Sequence, residues 1–231
     1  MRVLIIVPAY NEEENIEKVI KNIEKEKTGK EYIIDYLVVN DCSKDRTLDI
    51  LKQEENNYVS LPINLGIGGG VQSGYLYALE NNYDIAVQMD GDGQHDPEYL
   101  DDILQPILQG EADVVIGSRF INKEGFQSSF LRRLGIKMLS SVIYLVCKEK
   151  IKDVTSGYRA VNREVIKLFA GNYAQDYPEP EAIVLCAKNG YRIKEIAVKM
   201  KERQGGESSI SPLKSIYYMI KVTIAIIFAA M

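Results

Sequence analysis

The chain has few of the side chains that form disulfides or bind zinc. Its 231 residues include three cysteines, one histidine and no tryptophan. The cysteines, Cys42, Cys147 and Cys186, are odd in number, lie far apart and show none of the spacings typical of zinc ligands. These features exclude a disulfide scaffold and indicate free thiols in a reducing, cytosolic setting. The one histidine, His95, is not assigned as a general base.

Long uninterrupted apolar runs are also missing. The stretch MRVLIIVPAYNEEEN has a short apolar run before Pro8 and acidic residues directly after it, so we expect a first strand rather than a signal peptide. From Val222 the sequence is uncharged to its last residue, a stretch shorter than the about 20 residues that a spanning helix needs. The hydrophobic fraction of 46% is still enough for the core of one α/β domain.

Charge is divided unevenly along the chain. Residues 1–113 carry 9 basic and 23 acidic residues, a net charge of −14, whereas residues 114–231 carry 19 and 10, a net charge of +9. A basic second half suggests an anionic partner, such as phosphate groups or an acidic membrane surface. The alternative is scattered, solvated charge. Nucleic acid is not expected, because the first half is acidic and no motif combines basic with stacking side chains.

Strand and helix patterns alternate over the first ~120 residues, which predicts an α/β fold with a mostly parallel central sheet and helices on both faces. Asn11 is the expected N-cap of the first helix. In such sheets ligands bind beyond the carboxyl ends of the strands. The strand ends expected to converge on one cleft are Pro8–Glu12, Asn40–Asp41, Asp90–Asp92 and Gly117–Arg119.

The glycine run in NLGIGGGVQSG invites comparison with phosphate-binding loops. No Lys-Ser or Lys-Thr pair follows it, so it is not a Walker A loop, and the spacing G-x-G-x-x-G does not fit either. We therefore expect a tight turn that enters a helix. A close approach of this backbone to a ligand is the alternative.

The stretch VQMDGDGQHDP places carboxylates at the end of an apolar strand. Asp90 and Asp92 would repel each other unless a cation lies between them, and a turn at Gly91 can aim both at one ion. Oxygen ligands suit Mg²⁺ or Mn²⁺, and Mg²⁺ is commonly shared with substrate phosphates. Gln94 and His95 are near enough in sequence to join them. The alternative is a polar turn without a metal.

Three later stretches carry further candidate site residues, each with a structural alternative. KDVTSGYRAVNREVI places Arg159 before a helix, where it could hold a phosphate or form a structural pair with Asp153. YPEPEAI offers Glu179 and Glu181 as general bases or as helix-start acids. KERQGGESSI is a basic loop, with Arg203, that could close over a diphosphate or stay an exposed polar loop.

Two apolar segments with interspersed basic residues are expected to face a membrane. Residues 128–148 lie within the main domain, which we place at 1–210, and residues 211–231 form a C-terminal amphipathic segment. Apolar helices with lysines and aromatic residues are typical of the membrane interface. A buried core helix is the alternative for the first segment, and a dimer helix for the second.

Together, seven stretches resemble the inverting glycosyltransferases of family 2, which have the GT-A fold, and most of all those that act on polyprenyl phosphates, of the dolichol-phosphate mannosyltransferase type. The stretches occur in the family's order and cover nearly the whole chain. They are VPAYNEEENI, VVNDCSKDRT, NLGIGGGVQSG, VQMDGDGQHDP, VVIGSRF, DVTSGYRAVNREVI and MKERQGGESS.

This resemblance implies roles for particular residues. Nucleotide-sugar binding is expected of Pro8, Ala9, Tyr10, Glu12, Asp41, Asp90, Gly91, Arg119 and Arg203, with Asp41 on the base. Metal binding is expected of Asp90, Asp92 and Gln94. Catalytic roles are expected of Asp92, Asp153, Arg159 and Glu181. Of these, Asp153 and Glu181 are predicted from the residues themselves, as carboxylate bases for a hydroxyl acceptor, and not from the resemblance. Three departures from the family pattern are Cys42 after Asp41, Ser209 after GES, and the stretch YPEPE.

The implied reaction is a metal-dependent, inverting transfer of a sugar from a UDP-sugar, such as UDP-N-acetylglucosamine or UDP-glucose, to undecaprenyl or another polyprenyl phosphate. It would serve cell-envelope polysaccharides at the cytoplasmic face of the membrane, alone, as a homo-oligomer or with a small membrane partner protein. A phosphate acceptor is already anionic near neutral pH and needs no strong base. A saccharide hydroxyl as acceptor and a non-catalytic binding protein are the alternatives. A hydroxyl would need Asp153, Glu179 or Glu181 as base.

Overall fold

The computed structural model describes residues 1–27, 29–53, 56–127, 129–202, 219 and 221–228. In this part of the chain, strands of one mixed sheet alternate with helices. The strands are β1 (Arg2–Ala9), β2 (Ile33–Asn40), β3 (Tyr58–Ser60), β4 (Ile85–Gln88), β5 (Val114–Ser118), β6 (Arg159–Asn162) and β7 (Ile193–Ala197). The helices are α1 (Ile16–Glu26), α2 (Thr47–Gln53), α3 (Gly66–Glu80), α4 (Leu100–Leu108), α5 (Phe130–Cys147), α6 (Arg163–Gly171) and α7 (Pro178–Lys188).

The strand order is β3-β2-β1-β4-β6-β5-β7. Strand β6 runs antiparallel to β4 and β5, whereas the other neighbouring strands are parallel. The prediction of a mostly parallel sheet is confirmed. Strand β6 itself was not predicted, because its four residues are too short to show a pattern and directly precede a helix.

Both faces of the sheet are covered by helices, as predicted. Along β1, Val3, Ile5 and Val7 join a core with α1 and α4, whereas Leu4 and Ile6 join a core with α3, α5, α6 and α7. Successive side chains of a strand point to opposite faces, so one continuous apolar strand supplies both cores. This double burial fixes the carboxyl end of β1 in the middle of the sheet.

The first helix begins later than predicted. Its N-cap is Asn15, and Asn11 lies before it with a φ of 56°. The Oδ1 of Asn11 instead accepts the backbone N–H of Lys44 at 2.8 Å. Asn11 therefore joins the ends of β1 and β2, a contact between segments that are far apart in sequence.

The glycine run enters helix α3, as predicted, and it also allows a close contact. Gly66 starts the helix with a φ of 77°. A Cβ atom on Gly68 would lie 2.2 Å from the carbonyl oxygen of Ala174 and 2.4 Å from that of Gln175. Gly68 thus lets α3 pack directly against the backbone that joins α6 to α7.

The two segments predicted to face a membrane pack against each other in part. Residues 221–228 are helical, with Val222 and Ile226 buried in the core. Met219 lies against α5, because a Cβ atom on Gly135 would be 2.9 Å from its sulfur. Among the described residues, no helix has both the length and the apolar character to cross a bilayer. Residues 211–218, 220 and 229–231 lie outside the described residues.

Replacing Gly68 by Ala is expected to lower the free energy of unfolding by about 3 kcal/mol, because the methyl group overlaps two backbone carbonyls that cannot move independently. The matched control is Gly171→Ala at the end of α6, where no described atom lies within 4 Å of the added carbon. That change is expected to alter stability by no more than about 0.5 kcal/mol. Urea denaturation measures both, and equal effects would contradict the packing role of Gly68.

Candidate active site

The carboxyl ends of β1, β2 and β4 meet at one edge of the sheet. The backbone N–H of Asp41, after β2, donates to the carbonyl of Ala9 at 2.9 Å. The N–H of Gly91, after β4, donates to the carbonyl of Pro8 at 3.3 Å. These bonds place the two predicted acidic segments on either side of the end of β1. The predicted convergence of the first three strand ends is confirmed.

Asp41 joins this edge to the start of α3. Its Oδ1 accepts the N–H of Leu65 at 2.7 Å, and its Oδ2 accepts the N–H of Gly66 at 2.9 Å. A carboxylate at a helix N-terminus is stabilised by the free N–H groups and by the helix dipole. Both oxygens of Asp41 are therefore engaged with backbone, and its predicted contact with a nucleotide base stays a prediction.

Tyr10 and Glu12 follow β1 and differ in exposure. The side chain of Tyr10 is exposed beside Asp41, where a flat ligand could stack on it. Glu12 is buried, and its Oε2 accepts from the Nδ2 of Asn15 at 2.8 Å. Its backbone N–H donates to the Oγ1 of Thr47. Glu12 therefore fixes the turn between β1 and α1.

Asp90 is held in place from three sides. The Nε2 of Gln88 donates to its Oδ1 at 3.3 Å, and its own backbone N–H donates to the Nδ1 of His95 at 3.0 Å. Gly157 lies so close that a Cβ atom there would be 2.8 Å from Oδ2 and 2.9 Å from Oδ1. The side chain of Asp90 is nevertheless 35% exposed, so the carboxylate remains accessible to solvent.

His95 contacts Asp90 through both ring nitrogens. Its Nδ1 accepts the backbone N–H of Asp90 at 3.0 Å, and its Nε2 lies 3.8 Å from Oδ2 of Asp90. The ring is buried and stacks on Tyr158, with centroids 5.0 Å apart. Both ring nitrogens face Asp90, so His95 is a structural support of that carboxylate.

Asp92 and Gln94 form the loop after Asp90. The Oδ1 of Asp92 accepts the N–H of Gln94 at 3.0 Å. The carbonyl of Gln94 accepts the N–H of Lys201, and the ammonium of Lys201 pairs with Asp96 at 2.6 Å. Lys201, the first residue of the predicted basic loop KERQGGESSI, is thereby attached to the acidic loop that follows Asp90. Arg203 itself lies outside the described residues.

The acidic loop fits a hard divalent cation that is completed by other ligands. Among the described residues, no group of three or more His, Cys, Asp or Glu side chains forms a ready metal cage. The carboxylate of Asp90 is oriented and accessible, and the carboxylate of Asp92 is two residues away. Mg²⁺ and Mn²⁺ keep open positions for phosphate oxygens and water, so two carboxylates are a sufficient protein contribution.

Two predicted site residues form a buried ion pair with each other. The Nε and Nη2 of Arg119 both donate to the carboxylate of Asp153 at 2.7 Å, and the backbone N–H of Arg119 adds a third bond at 3.1 Å. The Asp153 side chain is fully buried. Both oxygens of Asp153 accept from Arg119, so this geometry does not favour Asp153 as a general base. The predicted contact of Arg119 with a nucleotide sugar stays a prediction. The pair ties β5 to the loop before β6.

Arg159 is also buried rather than open to a ligand. Its guanidinium donates to the carbonyls of Ser156 at 2.8 Å, Val154 at 3.3 Å and Glu179 at 2.7 Å. The residue is 1% exposed. Its predicted direct role in phosphate binding or catalysis is therefore not supported. It instead connects the loop around Gly157 with the start of α7.

Glu179 and Glu181 lie in different surroundings. The pKa of Glu179 is raised above its ordinary value, and desolvation by burial is the largest cause. The charge of Asp90 also raises this pKa, whereas the charges of Arg159 and Arg132 lower it. The pKa of Glu181 is also raised by desolvation, but its neighbours are Asp176 and Lys221. The electrostatic neighbours of Glu179 thus belong to the acidic cleft and to the first turn of α5. The sequence analysis named Glu181 as the catalytic carboxylate, and its electrostatic neighbours do not include Asp90 or Arg159.

A family model, Glycosyl transferase family 2, matches residues 4–169 of the chain. The chain belongs to this family. It is 31% identical over 217 residues to the UDP-N-acetylglucosamine–dolichyl-phosphate N-acetylglucosaminyltransferase of Methanococcus voltae, which covers 85% of this chain and 84% of that protein. It is 30% identical over 220 residues to the undecaprenyl-phosphate mannosyltransferase of Micrococcus luteus, with 91% and 88% covered. The chain is therefore a glycosyltransferase, as predicted.

A solved structure agrees with the predicted fold. Glucosyl-3-phosphoglycerate synthase from Mycobacterium tuberculosis, solved with Mn²⁺, uridine diphosphate and phosphoglyceric acid, superposes with a TM-score of 0.73. The sequence identity is 21%, and the match covers 99% of this chain and 78% of that chain. The likeness confirms the GT-A-like α/β fold.

Replacing Gly157 by Ala is expected to reduce transferase activity at least about tenfold, because the methyl group would displace the carboxylate of Asp90 from its accessible position. The variant is expected to fold, since the clash is with a side chain. Initial rates at several Mn²⁺ concentrations, with Gly171→Ala as the control, measure the effect. An unchanged rate would show either that the methyl group does not displace Asp90 or that Asp90 has no role in transferase activity.

Glu179→Gln is expected to stabilise the protein at pH 7. The raised pKa means that the folded state binds this proton more tightly than the unfolded state does. Ionisation of Glu179 therefore lowers the free energy of unfolding as the pH rises above 4.5, the ordinary pKa of a glutamate. Below that pH, Glu179 is protonated in both the folded and the unfolded state. The gain from Gln should shrink as pH falls to 4.5. Unfolding curves at pH 4.5 and 7, with exposed Glu31→Gln as control, test the sign.

Proposed function

We propose that the chain transfers a sugar from a UDP-sugar to a polyprenyl phosphate at a membrane surface, with the help of a divalent cation. The observation that carries this proposal is the position of Asp90. It lies accessible where three strand ends meet. Helix α5 packs against α7, and the start of α7 is bonded through the carbonyl of Glu179 to Arg159, in the strand beside β4. The basic, apolar helix α5 is therefore connected to the acidic edge of the sheet through α7.

On the donor side, Asp90 and Asp92 would hold Mg²⁺ or Mn²⁺ against the diphosphate, with Gln94 beside them. The cation would neutralise the charge that develops on the departing nucleoside diphosphate. The protein contributes orientation, since Gln88 and His95 fix Asp90 before substrate arrives. Pro8, Ala9 and the exposed ring of Tyr10 would line the nucleoside pocket, next to Asp41.

On the acceptor side, α5 has the composition needed to bind a lipid phosphate. Its inner face is buried through Ile136, Leu139 and Ile143. Its outer face exposes large apolar side chains, among them Phe130 at 71% and Leu131 at 75%. A soluble surface rarely exposes such a row of large apolar groups without a partner. Helix α5 thus combines the two alternatives that its sequence offered, a core face and an interfacial face.

Basic residues lie within the same apolar helix. Arg132 and Lys137 are exposed, and Arg132 influences Glu179 in the cleft. A guanidinium near the cleft suits an anionic phosphate, and basic side chains beside apolar ones suit an anionic membrane surface. We therefore place the acceptor phosphate between the first turn of α5 and Asp90, with the lipid chain along the outer face of α5.

The names of the relatives support this acceptor class and leave the donor sugar to experiment. One relative is named for N-acetylglucosamine transfer to dolichyl phosphate and another for mannose transfer to undecaprenyl phosphate. We propose UDP-N-acetylglucosamine or UDP-glucose as the donor. A role in cell-envelope polysaccharides at the cytoplasmic face, and an oligomer or membrane partner, belong to the same proposal.

A transfer assay tests the reaction. Labelled UDP-N-acetylglucosamine, UDP-glucose and GDP-mannose are incubated singly with undecaprenyl phosphate and Mn²⁺ or Mg²⁺, with and without EDTA. We expect organic-extractable label from a UDP-sugar that EDTA abolishes. Metal-dependent donor hydrolysis without a lipid product would instead point to a saccharide acceptor.

Asp90→Asn is expected to reduce lipid-linked product by about a hundredfold, because an amide is a much poorer ligand for a hard cation than a carboxylate. The matched control is Asp102→Asn, which changes an exposed carboxylate on α4. Product formation at saturating Mn²⁺ measures both. Full activity of Asp90→Asn would support the alternative of a metal-independent protein.

The double change Leu131→Glu and Leu145→Glu is expected to weaken binding to anionic vesicles by about tenfold or more, because it places charge on the face of α5 that would enter the lipid. Leu76→Glu, on an exposed apolar position of α3, is the control. Co-sedimentation with vesicles measures binding. Equal behaviour of both variants and the unmodified protein would remove the basis for a membrane role of α5.

The position of Glu179 favours it over Glu181 if the acceptor is a hydroxyl. Its pKa is raised, and it lies within the electrostatic reach of Asp90. A carboxylate with a raised pKa is better suited to take a proton near neutral pH. Glu179→Gln should then abolish hydroxyl transfer, with Glu181→Gln as the control. If the acceptor is a phosphate, both variants should keep most of their activity.

A further inference from the structure

The carboxylate of Asp90 is oriented from inside the protein by a chain of two buried side chains. Gln88, the last residue of β4, is fully buried. Its Nε2 donates to Oδ1 of Asp90 at 3.3 Å, and its Oε1 accepts from the hydroxyl of Tyr173 at 3.4 Å. Tyr173, between α6 and α7, is itself buried. The chain of hydrogen bonds runs from the core to the floor of the cleft.

A glutamine is an unexpected residue at this position. The rest of β4, Ile85–Val87, is apolar and buried, and packing alone would favour another apolar side chain there. A buried amide costs free energy unless both of its ends are hydrogen-bonded. Here both ends are bonded, and one of the two partners is the carboxylate at the candidate metal site.

The charge on Asp90 fixes which end of the Gln88 amide faces it. A carboxylate only accepts hydrogen bonds, so the amide nitrogen points toward Oδ1 and the amide oxygen points toward the hydroxyl of Tyr173. A reversed amide would set an oxygen against the negative Oδ1. The hydroxyl of Tyr173 then holds the far end of the amide by donating to its oxygen.

We propose that Gln88 and Tyr173 are positioning residues that hold Asp90 in the orientation that binds the divalent cation. The bond from Gln88 occupies one oxygen and limits rotation of the carboxylate, and Gly157 lies close to both oxygens. A ligand that is oriented before the metal arrives loses less conformational freedom on binding. This inference rests on the metal-dependent function proposed above.

The aromatic cluster around Tyr173 supplies a matched control. Tyr173 packs against Tyr75 and Phe169, with ring centroids 5.4 Å and 5.0 Å away. The hydroxyl of Tyr75 is buried, and no hydrogen-bond partner for it lies in the part of the chain that the structure describes. Tyr75→Phe and Tyr173→Phe therefore remove the same atom from the same cluster, but only the hydroxyl of Tyr173 donates to Gln88.

The experiment measures Mn²⁺ binding in the presence of UDP, by the electron paramagnetic resonance signal of free Mn²⁺, for the full chain and three variants. Gln88→Met keeps the volume and removes both hydrogen bonds, and it should weaken Mn²⁺ binding about tenfold. Tyr173→Phe should weaken it about threefold, since Gln88 stays but is no longer held. Tyr75→Phe should bind as the unmodified protein does. Melting temperatures are recorded for each variant.

The outcomes separate positioning from packing and from the proposed function. Unchanged Mn²⁺ affinity in Gln88→Met and Tyr173→Phe would overturn the inference, even if their melting temperatures changed. Equal losses in Tyr75→Phe and Tyr173→Phe would also overturn it, because the effect would then come from the cluster. If Gln88→Met does not fold, the comparison of Mn²⁺ affinity between Tyr173→Phe and Tyr75→Phe tests the inference. Absence of Mn²⁺ binding in the unmodified protein would overturn the metal-dependent function itself.

Discussion

A buried guanidinium holds the parts of the candidate active site together. Arg159 donates to carbonyls in the loop before β6 and at the start of α7. Removing a charge from water costs several kcal/mol, and this cost is offset only when the donors of the group are satisfied. The loop and the helix are therefore held to the positions that satisfy it. That loop carries Gly157 against Asp90, and that helix carries Glu179 toward the same cleft.

The cleft itself is built mainly from polar groups that orient one another. Asp41 binds the start of α3, Arg119 binds Asp153, and His95 and Gln88 bind Asp90. Few of these side chains are free to rearrange when a substrate enters. In the proposed metal-dependent transfer, such fixed orientation would be the main contribution of the protein, because the cation would supply the charge that stabilises the departing diphosphate.

The basic residues in the second half of the chain fall into two groups. Some, such as Arg119 and Arg159, are buried and form contacts within the protein. Others, such as Arg132 and Lys137, are exposed on α5, a helix that also exposes large apolar side chains. Net charge by itself could not separate the buried groups from the exposed ones. The separation matters, because the proposed contact with a lipid phosphate needs exposed basic side chains.

The sequence alone determined the α/β class, the family and the place of the acidic loop. These follow from local signals: apolar runs at strand spacing, turn residues between them, and short motifs in a fixed order. The same signals predicted that Pro8, Asp41 and Asp90 lie together, since the ends of parallel strands share one edge of a sheet. The resemblance in turn implied a transferase and a cation.

The tertiary structure decided which candidates face the cleft and which support it. Asp153 and Arg119 were both plausible site residues until their mutual pairing was known, and Gln88 carried no motif at all. Glu179 and Glu181 are two residues apart, yet only Glu179 has Asp90 and Arg159 among its electrostatic neighbours. The physical reason is the same in each case. The role of a polar side chain depends on its partner across the fold, and sequence spacing does not encode that partner.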